Sequence, residues 1–365
     1  MAWLTATYLI ESAPEQIEAR AQALAIEQSV ECPLEAIHDD DVRENVVARV
    51  GSIEPAGDGR FRVAVGIATA TIGGETAQLF NMVFGNCSLW ENVQLVDLEL
   101  PPDLLARFGG PRHGIAGIRA LLGAPRRPLT AAAMKPQGLP VAELARMCRT
   151  FALAGVDIVK DDHGIADQTY SPFAERVRAC QAAIGEAVAA SGKPAFYAPH
   201  LIGTPRILRD HARLARDAGV RVVLVAPMLV GLPAFRDLVD EFPEFVYLAH
   251  PSFGGAARLA PPVLFGKIFR LLGADAPIFV NYGGRFAYPP EECAELAAMA
   301  RAPWGGLRPA LPVPAGGMRL DRVDELLSFY GPDTMLLIGG NLLLAEGEAL
   351  LARAHEFVAK VLVAV

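Results

Sequence analysis

The feature that most constrains the fold of this 365-residue chain is a regular alternation that starts near residue 129. Short apolar runs rich in β-branched or aromatic residues alternate with Ala-, Leu- and Arg-rich stretches of helical period, which indicates a repeated strand–helix unit. Eight runs are predicted strands: 129–134, 156–159, 195–198, 220–225, 245–249, 278–280, 310–313 and 335–338. Eight such units in succession predict an α/β fold of the TIM (β/α)8 barrel type, in which parallel strands form a closed ring inside a layer of helices.

A doubly wound open sheet also alternates strands with helices, and it is the main alternative fold. Such a sheet normally has fewer strands and binds dinucleotides through a G-x-G-x-x-G turn. The chain contains no such motif. The barrel is therefore the preferred prediction.

Residues 1–128 follow a different pattern from the barrel region. Their predicted elements, in order, are a strand at 3–10, a helix at 14–25 and strands at 46–53, 60–68 and 76–83. One helix among several strands predicts a small α+β N-terminal domain. We place the boundary inside the segment 114–122, which predicts an α+β domain over residues 1–118 and a barrel over residues 119–365.

The charge balance argues against one class of partner. The chain has 33 basic and 41 acidic residues and a formal charge of −8, so it lacks the basic surface that nucleic-acid binding requires. It has no apolar run of membrane-spanning length, and its first residues do not resemble a signal peptide. We therefore expect a cytoplasmic protein that binds neither nucleic acid nor membranes.

Ionisable residues stand where four of the predicted barrel strands end. Lys135 follows the first strand, residues 160–163 (Lys-Asp-Asp-His) follow the second, His200 the third and His250 the fifth. The active site of a TIM barrel lies at this carboxyl-terminal end of the strands. Because the strands of the ring are parallel, we expect these side chains to meet at one mouth of the barrel and to form an active site.

The end of the second strand suggests a metal site. Asp162 supplies the oxygen that a hard cation such as Mg²⁺ prefers, and His163 is a second possible ligand. Lys160 has no lone pair as an ammonium, so three roles stay open for it: a neutral base, an ion-pair partner of an aspartate, or a carbamate formed with CO₂ whose oxygens bind the metal. An ion-paired strand end without a metal is the plainer alternative.

Glycine pairs follow the seventh and eighth predicted strands, Gly316-Gly317 and Gly339-Gly340. Barrels commonly bind a phosphate group on exposed backbone N–H groups at this position. Two tight turns without a ligand would give the same sequence. A phosphorylated substrate beside a metal favours enolisation, in which the cation polarises a carbonyl and a base removes the neighbouring proton.

Several segments resemble the signature motifs of the RuBisCO superfamily. Residues 108–115 (F-G-G-P-R-H-G-I) are similar to its F-x-G-P-x-H-G-I, residues 134–136 (M-K-P) to its I-K-P, and residues 155–162 (G-V-D-I-V-K-D-D) to its G-x-D-x-x-K-x-D. The resemblance covers nearly the whole chain. It implies the fold of the RuBisCO large subunit, a homodimer whose active site is shared between subunits, and Mg²⁺ bound with CO₂ as a carbamate on Lys160.

The departures from the carboxylases indicate a different reaction. His163 stands where the family has a glutamate as its third metal ligand, and the loop at residues 281–286 (N-Y-G-G-R-F) lacks the lysine that stabilises the carboxylated intermediate. Cys32-Pro33 replaces a Thr-Trp pair that helps to bind one of two phosphates. The chain therefore resembles a RuBisCO-like protein, the branch that does not fix CO₂, with a substrate that carries one phosphate group.

Within that branch the chain resembles the methionine-salvage group. The salvage enolases, which act on 2,3-diketo-5-methylthiopentyl 1-phosphate, carry a base lysine after a Phe-Gly pair, but Asn86 follows that pair here. The resemblance favours the isomerase of the branch, which converts 5-methylthioribulose 1-phosphate to 1-methylthioxylulose 5-phosphate by enolisation and 1,3 proton transfer. The alternatives are the enolase, a decarboxylase or hydrolase of a branched sugar-acid phosphate as in apiose breakdown, and a catalytically inactive regulatory protein.

This hypothesis assigns a role to each site residue. The catalytic residues are Lys135, Lys160, His200, His250 and Asn86, the metal ligands are Lys160, Asp162 and His163, and the phosphate- and substrate-binding residues are Gly316, Gly317, Gly339, Gly340, Arg285 and Glu27. The two lysines share the proton transfers, and which of them is the base stays open. The two catalytic histidines polarise substrate hydroxyls. Asn86 and Glu27 are expected to enter from the partner subunit.

Overall fold

A computed structural model describes residues 2–286 and 288–363 of the chain. Met1, Ala287, Ala364 and Val365 lie outside the described residues, and with them the outer ends of both predicted domains. The N-terminal part has an antiparallel sheet with the strand order β2-β3-β1-β4. Its elements are β1 Trp3–Glu11, α1 Ile17–Glu27, α2 Asp40–Asn45, β2 Arg49–Gly57, β3 Arg60–Ala68, α3 Thr76–Phe84, β4 Val93–Glu99 and α4 Pro102–Phe108.

One predicted strand of the N-terminal domain is wrong. The segment 76–83, predicted as a strand, lies in helix α3, and the fourth strand of the sheet is β4, which the sequence patterns did not reveal. The buried residues of α3 include Leu79, Met82 and Val83, and this spacing of three and four residues is the helical period. The alternation of Thr, Gln, Phe and Met with other residues in this short segment is compatible with either period, and packing against the sheet decides between them.

The second part of the chain is a closed ring of parallel strands. Its strands are β5 Leu129–Met134, β6 Ile158–Asp161, β7 Phe196–Ala198, β8 His200–Leu201, β9 Val222–Val225, β10 Val246–Ala249, β11 Ala276–Val280, β12 Val313–Ala315 and β13 Met335–Ile338. They pair in the orders β13-β5-β6-β7 and β8-β9-β10-β11-β12. Because β7 and β8 are halves of one strand interrupted at Pro199, nine segments form eight barrel strands.

Two backbone contacts join the sheets into a barrel. The N–H of Leu224 donates to the carbonyl of Pro199 (2.9 Å), and the N–H of Met335 donates to the carbonyl of Pro312 (3.1 Å). The predicted TIM barrel with a small α+β domain before it is therefore confirmed. Its helices are α5 Gly114–Leu122, α6 Val141–Ala154, α7 Phe173–Ser191, α8 Pro205–Asp217, α9 Pro227–Val230, α10 Leu232–Glu241, α11 Phe269–Leu271, α12 Pro290–Arg301, α13 Val323–Tyr330 and α14 Gly347–Val363, with a π-helical segment at Pro262–Ile268.

The two faces of the barrel strands belong to two different hydrophobic clusters. In β5, Ala131 and Ala133 pack inside the barrel, whereas Ala132 and Met134 pack outward in the larger cluster that the helices cover. Side chains alternate between the faces of a strand, so a residue two positions after an inward one also faces the barrel axis. Lys135 follows Ala133 in this register, and Lys160 follows the inward Ile158. The strand period thus directs both lysines towards the mouth.

The opposite end of the barrel is held by a buried carboxylate. Asp275, which directly precedes β11, is fully buried and accepts hydrogen bonds from the N–H groups of His113 (2.8 Å), Gly114 (2.6 Å) and Tyr247 (2.9 Å). Helix α5 begins at Gly114, so one carboxylate ties the amino end of this helix to two barrel strands. The predicted boundary at residue 118 lies inside α5 and stays a prediction.

Among the described residues, none of the helices combines the length and the apolar character that would let it cross a membrane.

Candidate active site

A cavity of about 740 Å³ opens at the carboxyl-terminal ends of the barrel strands. This barrel mouth is where TIM barrels place their active sites. Ten of the predicted site residues line the cavity: Lys135, Lys160, Asp162, His163, His250, Arg285, Gly316, Gly317, Gly339 and Gly340. The remaining three, His200, Asn86 and Glu27, do not.

Asp162 is the centre of a charged cluster at the ends of β5 and β6. Its carboxylate contacts the Lys135 ammonium, and its Oδ1 lies 3.4 Å from Nδ1 of His163. Burial alone would raise the pKa of Asp162, but the hydrogen bonds from His163 and Lys135 and the charge of Lys160 outweigh it and lower the pKa well below its ordinary value. Asp162 therefore carries a negative charge at neutral pH.

Lys160 lies deeper in the barrel than its neighbours. Only 2% of the residue is exposed, and its Nζ donates to the carbonyl of Asp161 (2.8 Å). Burial lowers the pKa of Lys160 from 10.5 to about 8; Asp162 opposes the shift and the like charge of Lys135 adds to it. A lysine of this kind has a substantial neutral fraction near physiological pH, which both a general base and carbamate formation with CO₂ require.

Asp161 points away from the cavity into a buried polar network. Its carboxylate accepts hydrogen bonds from the Tyr197 hydroxyl (2.8 Å), from Nε of Arg176 (3.1 Å) and from the His200 backbone N–H (3.1 Å). Asp161 and Arg176 are both fully buried. The network fixes the backbone at the end of β6, and thereby the strand position from which Lys160 and Asp162 project.

His250 meets His163 across the mouth. The two rings are stacked with their centroids 4.3 Å apart. Nδ1 of His250 lies 2.8 Å from the Ser252 hydroxyl and accepts a hydrogen bond from the Ser252 backbone N–H (3.2 Å), so its proton lies on Nε2. Burial, aided by the positive charge of Lys160, lowers the pKa of His250 to about 2. His250 is therefore a neutral donor suited to a substrate oxygen.

His200 is enclosed by protein. Its residue is completely buried, and its Nδ1 lies 3.2 Å from the carbonyl of Ile165 in the loop that follows β6. Burial lowers the pKa of His200 to about 3, so the ring is neutral, and its buried Nε2 has no hydrogen-bond partner. The 162–165 loop covers this histidine, which explains why the third strand end does not reach the cavity with the others.

The glycine turn after β12 can exist only with glycine. Gly316 and Gly317 have φ values of +89° and +100°, a region that other residues rarely adopt. A Cβ atom on Gly317 would lie 2.8 Å from the backbone nitrogen of Arg285, and a Cβ on Gly284 would lie 2.1 Å from the Gly316 carbonyl oxygen. The loops after β11 and β12 therefore pack backbone to backbone, and the Arg285 N–H donates to the Gly316 carbonyl (2.9 Å).

The glycine turn after β13 is different. A Cβ atom on Gly339 would make ordinary contacts with Ala133 and Lys135, and a Cβ on Gly340 would meet nothing within 4 Å. Packing therefore does not require glycine at position 340. A small residue is useful there if a ligand approaches the backbone closely, as a phosphate does when it accepts hydrogen bonds from main-chain N–H groups.

Asn86 and Glu27 form a pair on the N-terminal domain. The Asn86 side-chain amide donates to Oε1 of Glu27 (2.9 Å), and the contact is exposed to solvent. Neither residue lines the cavity of its own chain. Their expected place in the site of a second subunit stays a prediction.

The donor set tests whether Mg²⁺ fits. Among the described residues, no group of three or more His, Cys, Asp or Glu side chains is placed to bind a metal ion. Asp162 and His163 alone are two ligands, of which one is a nitrogen. Mg²⁺ is usually bound through one or two carboxylates and keeps several of its waters. A carbamate on Lys160 would supply the second oxygen donor, and with it the residues fit Mg²⁺.

Sequence patterns missed part of the cavity wall. Ser252 orients His250, and its position two residues after a strand-end histidine is the only signal that could have indicated it. Further lining residues are mainly apolar and had no motif to reveal them: Phe265, Phe286, Tyr288, Met318 and Leu344.

An α+β domain followed by a (β/α)8 barrel, with a Lys-Asp-Asp strand end and paired glycine turns at one mouth, defines the class of proteins with the fold of the RuBisCO large chain. The family model of the ribulose bisphosphate carboxylase large chain, catalytic domain, matches residues 114–276. The crystal structure of a RuBisCO-like protein from Rhodopseudomonas palustris superposes with a TM-score of 0.93 and 50% identity, covering 99% of this chain and 98% of that one.

Relatives of similar sequence indicate which branch of this class the chain belongs to. Ribulose bisphosphate carboxylase-like protein 1 of Rhodopseudomonas palustris is 54% identical over 97% of this chain and 96% of its own length. The 5-methylthioribulose-1-phosphate isomerase of Rhodospirillum rubrum is 51% identical over 98% of this chain and 96% of its own. The chain belongs to the RuBisCO superfamily, as a RuBisCO-like protein.

Proposed function

We propose that the protein is an isomerase of 5-methylthioribulose 1-phosphate. The observation that carries the proposal is one cavity that combines two lysines and an ionised aspartate with two glycine turns. The name of the relative from Rhodospirillum rubrum supports the choice of substrate. The reaction moves the carbonyl from C2 to C4 of the sugar: C4 loses its carbon-bound hydrogen and its hydroxyl proton, and C2 gains one of each, so atoms and charge balance without a co-substrate.

The phosphate binds at the turns after β12 and β13. Gly316, Gly317, Gly339 and Gly340 line the cavity there and would offer their backbone N–H groups to the phosphate, and Arg285 adds a positive charge to the lining of the same cavity. These groups touch only the phosphate end of the substrate. They therefore contribute to binding and orientation and not to the proton transfer itself.

The proton transfers belong to the cluster at the ends of β5 and β6. The lowered pKa of Lys160, about 8, leaves the neutral amine that reacts with CO₂, and an oxygen of the resulting carbamate is suited to remove or return a proton. Lys135 is held beside it by Asp162 and can serve as the matching acid or base. Neutral His250 donates from Nε2 to the oxygen on which enolate charge develops. Which lysine takes the first proton stays open.

Mg²⁺ would be held by Asp162, His163 and the carbamate of Lys160. When bound, it would stabilise the enolate oxygen as a Lewis acid. The protein residues then have two tasks around it: to exclude water from the reacting carbons and to keep Lys135 within reach of them. The homodimer belongs to the same proposal, with Asn86 and Glu27 of each chain entering the cavity of the other.

The proposal is tested with 5-methylthioribulose 1-phosphate in D₂O, with Mg²⁺ and bicarbonate, followed by ³¹P and ¹H NMR. Conversion to a 5-phosphate isomer with incorporation of deuterium is the expected result. The matched control is 2,3-diketo-5-methylthiopentyl 1-phosphate, on which no enolisation is expected because Asn86 replaces the enolase lysine. Absence of both conversion and exchange with the first compound would overturn the proposal, and exchange with the control alone would assign the enolase reaction.

A further inference from the structure

Phe253 has an unusual backbone conformation for its residue type. Within residues 2–286 and 288–363, three non-glycine residues have positive φ values: Glu31, Asp58 and Phe253. The first two lie in the N-terminal domain, outside the cavity. Phe253, at φ +66°, lies in the cavity wall. A bulky residue in this region is an outlier that reduces stability, and such outliers concentrate at functional sites.

The local structure holds Phe253 in this conformation. It lies in the tight connection after β10, where the Gly254 N–H donates to the Pro251 carbonyl (3.0 Å) and the Ala256 N–H donates to the Phe253 carbonyl (3.1 Å). Gly254 packs against the ring of Phe265, so closely that a Cβ there would lie 2.7 Å from it. Glycines follow at 254 and 255, yet the left-handed position itself is occupied by phenylalanine.

Packing within the chain does not explain this choice. Phe253 is 62% exposed, so its ring contributes little to the core while its backbone is strained. Glycine would relieve the strain, and a polar residue would be better solvated. The ring thus has two unfavourable features within the isolated chain, and both would be offset by a ligand that covers it.

Two further exposed apolar side chains line the same cavity. Phe286 is 52% exposed and Leu344 is 76% exposed. Both lie beside the glycine turns: a Cβ on Gly316 would lie 3.3 Å from the Phe286 ring, and Leu344 follows Gly339-Gly340 in the loop after β13. Of the three exposed apolar residues in the lining, Phe253 is therefore the one that lies away from these turns. Ligand sites combine such apolar surface with a few polar groups, and here the polar groups are the lysine cluster and the glycine turns described above.

The order of the strands places Phe253 relative to the phosphate turns. The glycine turns follow the seventh and eighth strands of the ring, and the lysines follow the first and second. Phe253 follows the fifth strand, on the far side of the mouth from β5 and β6. A sugar phosphate held by its phosphate at the glycine turns therefore has its other end free to reach the side of the mouth that carries Phe253.

We infer that Phe253 binds the apolar substituent at the end of the substrate opposite the phosphate and determines the selectivity of the enzyme. The inference rests on the proposed function and adds to it the residue that selects the substrate class. A thioether or alkyl group is stabilised by burial against the Phe253 ring. A second phosphate would lose its hydration there without a partner, so the ring also disfavours sugar bisphosphates.

The test compares two substrates that differ only in the apolar group, 5-methylthioribulose 1-phosphate and 5-deoxyribulose 1-phosphate. In Phe253→Ala we expect the ratio of kcat/KM for the methylthio compound to that for the deoxy compound to fall about tenfold, the range typical of one small apolar group in a pocket. Phe253→Leu should keep most of the ratio. Leu229→Ala is the matched control, because Leu229 is 47% exposed and does not line the cavity.

Three results would overturn the inference. One is an equal loss of kcat/KM with both substrates, which would indicate a structural role. The second is an unchanged ratio. The third is a change of oligomeric state by light scattering without a change of ratio, which would make the ring a contact between subunits.

If the wild-type protein converts neither compound, the proposed function fails, and calorimetric titration then tests Phe253 separately. Tighter binding of the methylthio compound that is lost in Phe253→Ala would support the inference. Equal binding of the two compounds, or no binding, would overturn it.

Discussion

Two neighbouring sectors of the barrel mouth differ in the groups that they present to a ligand. The sector of β5 and β6 presents charged side chains, Lys135, Lys160 and Asp162, whose mutual contacts and burial set their protonation. The sector of β12 and β13 presents backbone with no side chain beyond Cα. Proton transfer requires a group with an adjusted pKa, whereas phosphate binding requires uncovered N–H groups. Substitutions in the two sectors should therefore change different kinetic constants.

Lys160→Ala should show the largest difference between its effect on kcat and its effect on KM. Loss of the amine removes the base or carbamate, so kcat should fall about 10³-fold while KM changes by a few-fold at most. Steady-state kinetics and the rate of deuterium uptake measure the two effects. Lys193→Ala, at an exposed lysine, is the control. A rise of KM with an unchanged kcat would contradict this division of roles between the sectors, because Lys160 would then be a binding residue.

The glycine sector should show the reverse pattern. In Gly317→Ala the left-handed φ and the contact with the Arg285 nitrogen would distort the turn, so KM should rise about tenfold and stability should fall by about 1–2 kcal/mol. Gly340→Ala has room for its methyl group, so stability should stay within about 0.5 kcal/mol while KM still rises. Urea unfolding and kinetics separate the two variants.

Gly185→Ala is the control for these substitutions. Gly185 lies inside α7, and its Cβ would meet nothing within 4 Å, so alanine should stabilise the protein slightly without an effect on KM. An unchanged KM in Gly340→Ala would mean that the phosphate does not approach this turn, and the phosphate site would then be confined to Gly316 and Gly317.

A smaller effect on kcat is expected at Ser252, whose backbone and side chain both contact His250. Both the hydroxyl and the N–H of Ser252 lie close to Nδ1 of His250. In Ser252→Ala the backbone N–H remains and still holds the tautomer, so kcat should fall only about two- to threefold. His250→Gln, which removes the ring, should lower kcat about 10²-fold. Equal losses in both variants would show that the hydroxyl, and not the backbone, fixes the ring.

The last expected effect is on the pH dependence of stability and not on a kinetic constant. Because the pKa of His200 falls to about 3 in the folded protein from 6.5, the unfolded chain binds a proton between pH 6.5 and 3 that the folded chain does not. The free energy of unfolding should therefore fall as the pH falls through this range, by up to about 1.4 kcal/mol per pH unit.

His200→Asn should make that pH dependence shallower. Urea unfolding at a series of pH values between 6.5 and 4.5 measures the slope, and His355→Gln, at an exposed position of α14, is the matched control. The same slope in wild type and His200→Asn would mean that His200 is protonated in the folded state, and its assignment as a neutral buried ring would be wrong.

Much of the barrel could be predicted because its strands are short, apolar and regularly spaced, and because parallel strands bring their ends together. That reasoning placed Lys135, Lys160 and His250 at one mouth. It could not show that the 162–165 loop covers His200, since loop conformation depends on contacts such as the one with Ile165. Nor could it distinguish helix from strand in α3, where a nine-residue segment satisfies both periods. Phe286 and Leu344 were not predicted as part of the cavity, because single apolar residues in loops have no sequence pattern of their own.

One of the three segments that resemble the superfamily signatures, residues 108–115, lies at the other end of the barrel from the cavity. Its His113 and Gly114 amides bind Asp275 beneath the strands. The similarity of this segment therefore indicates how the barrel folds and does not indicate which reaction occurs at its mouth. A search that relies on it would retrieve chains that fold in this way, whatever their catalytic activity, and sorting them by reaction requires the residues at the mouth.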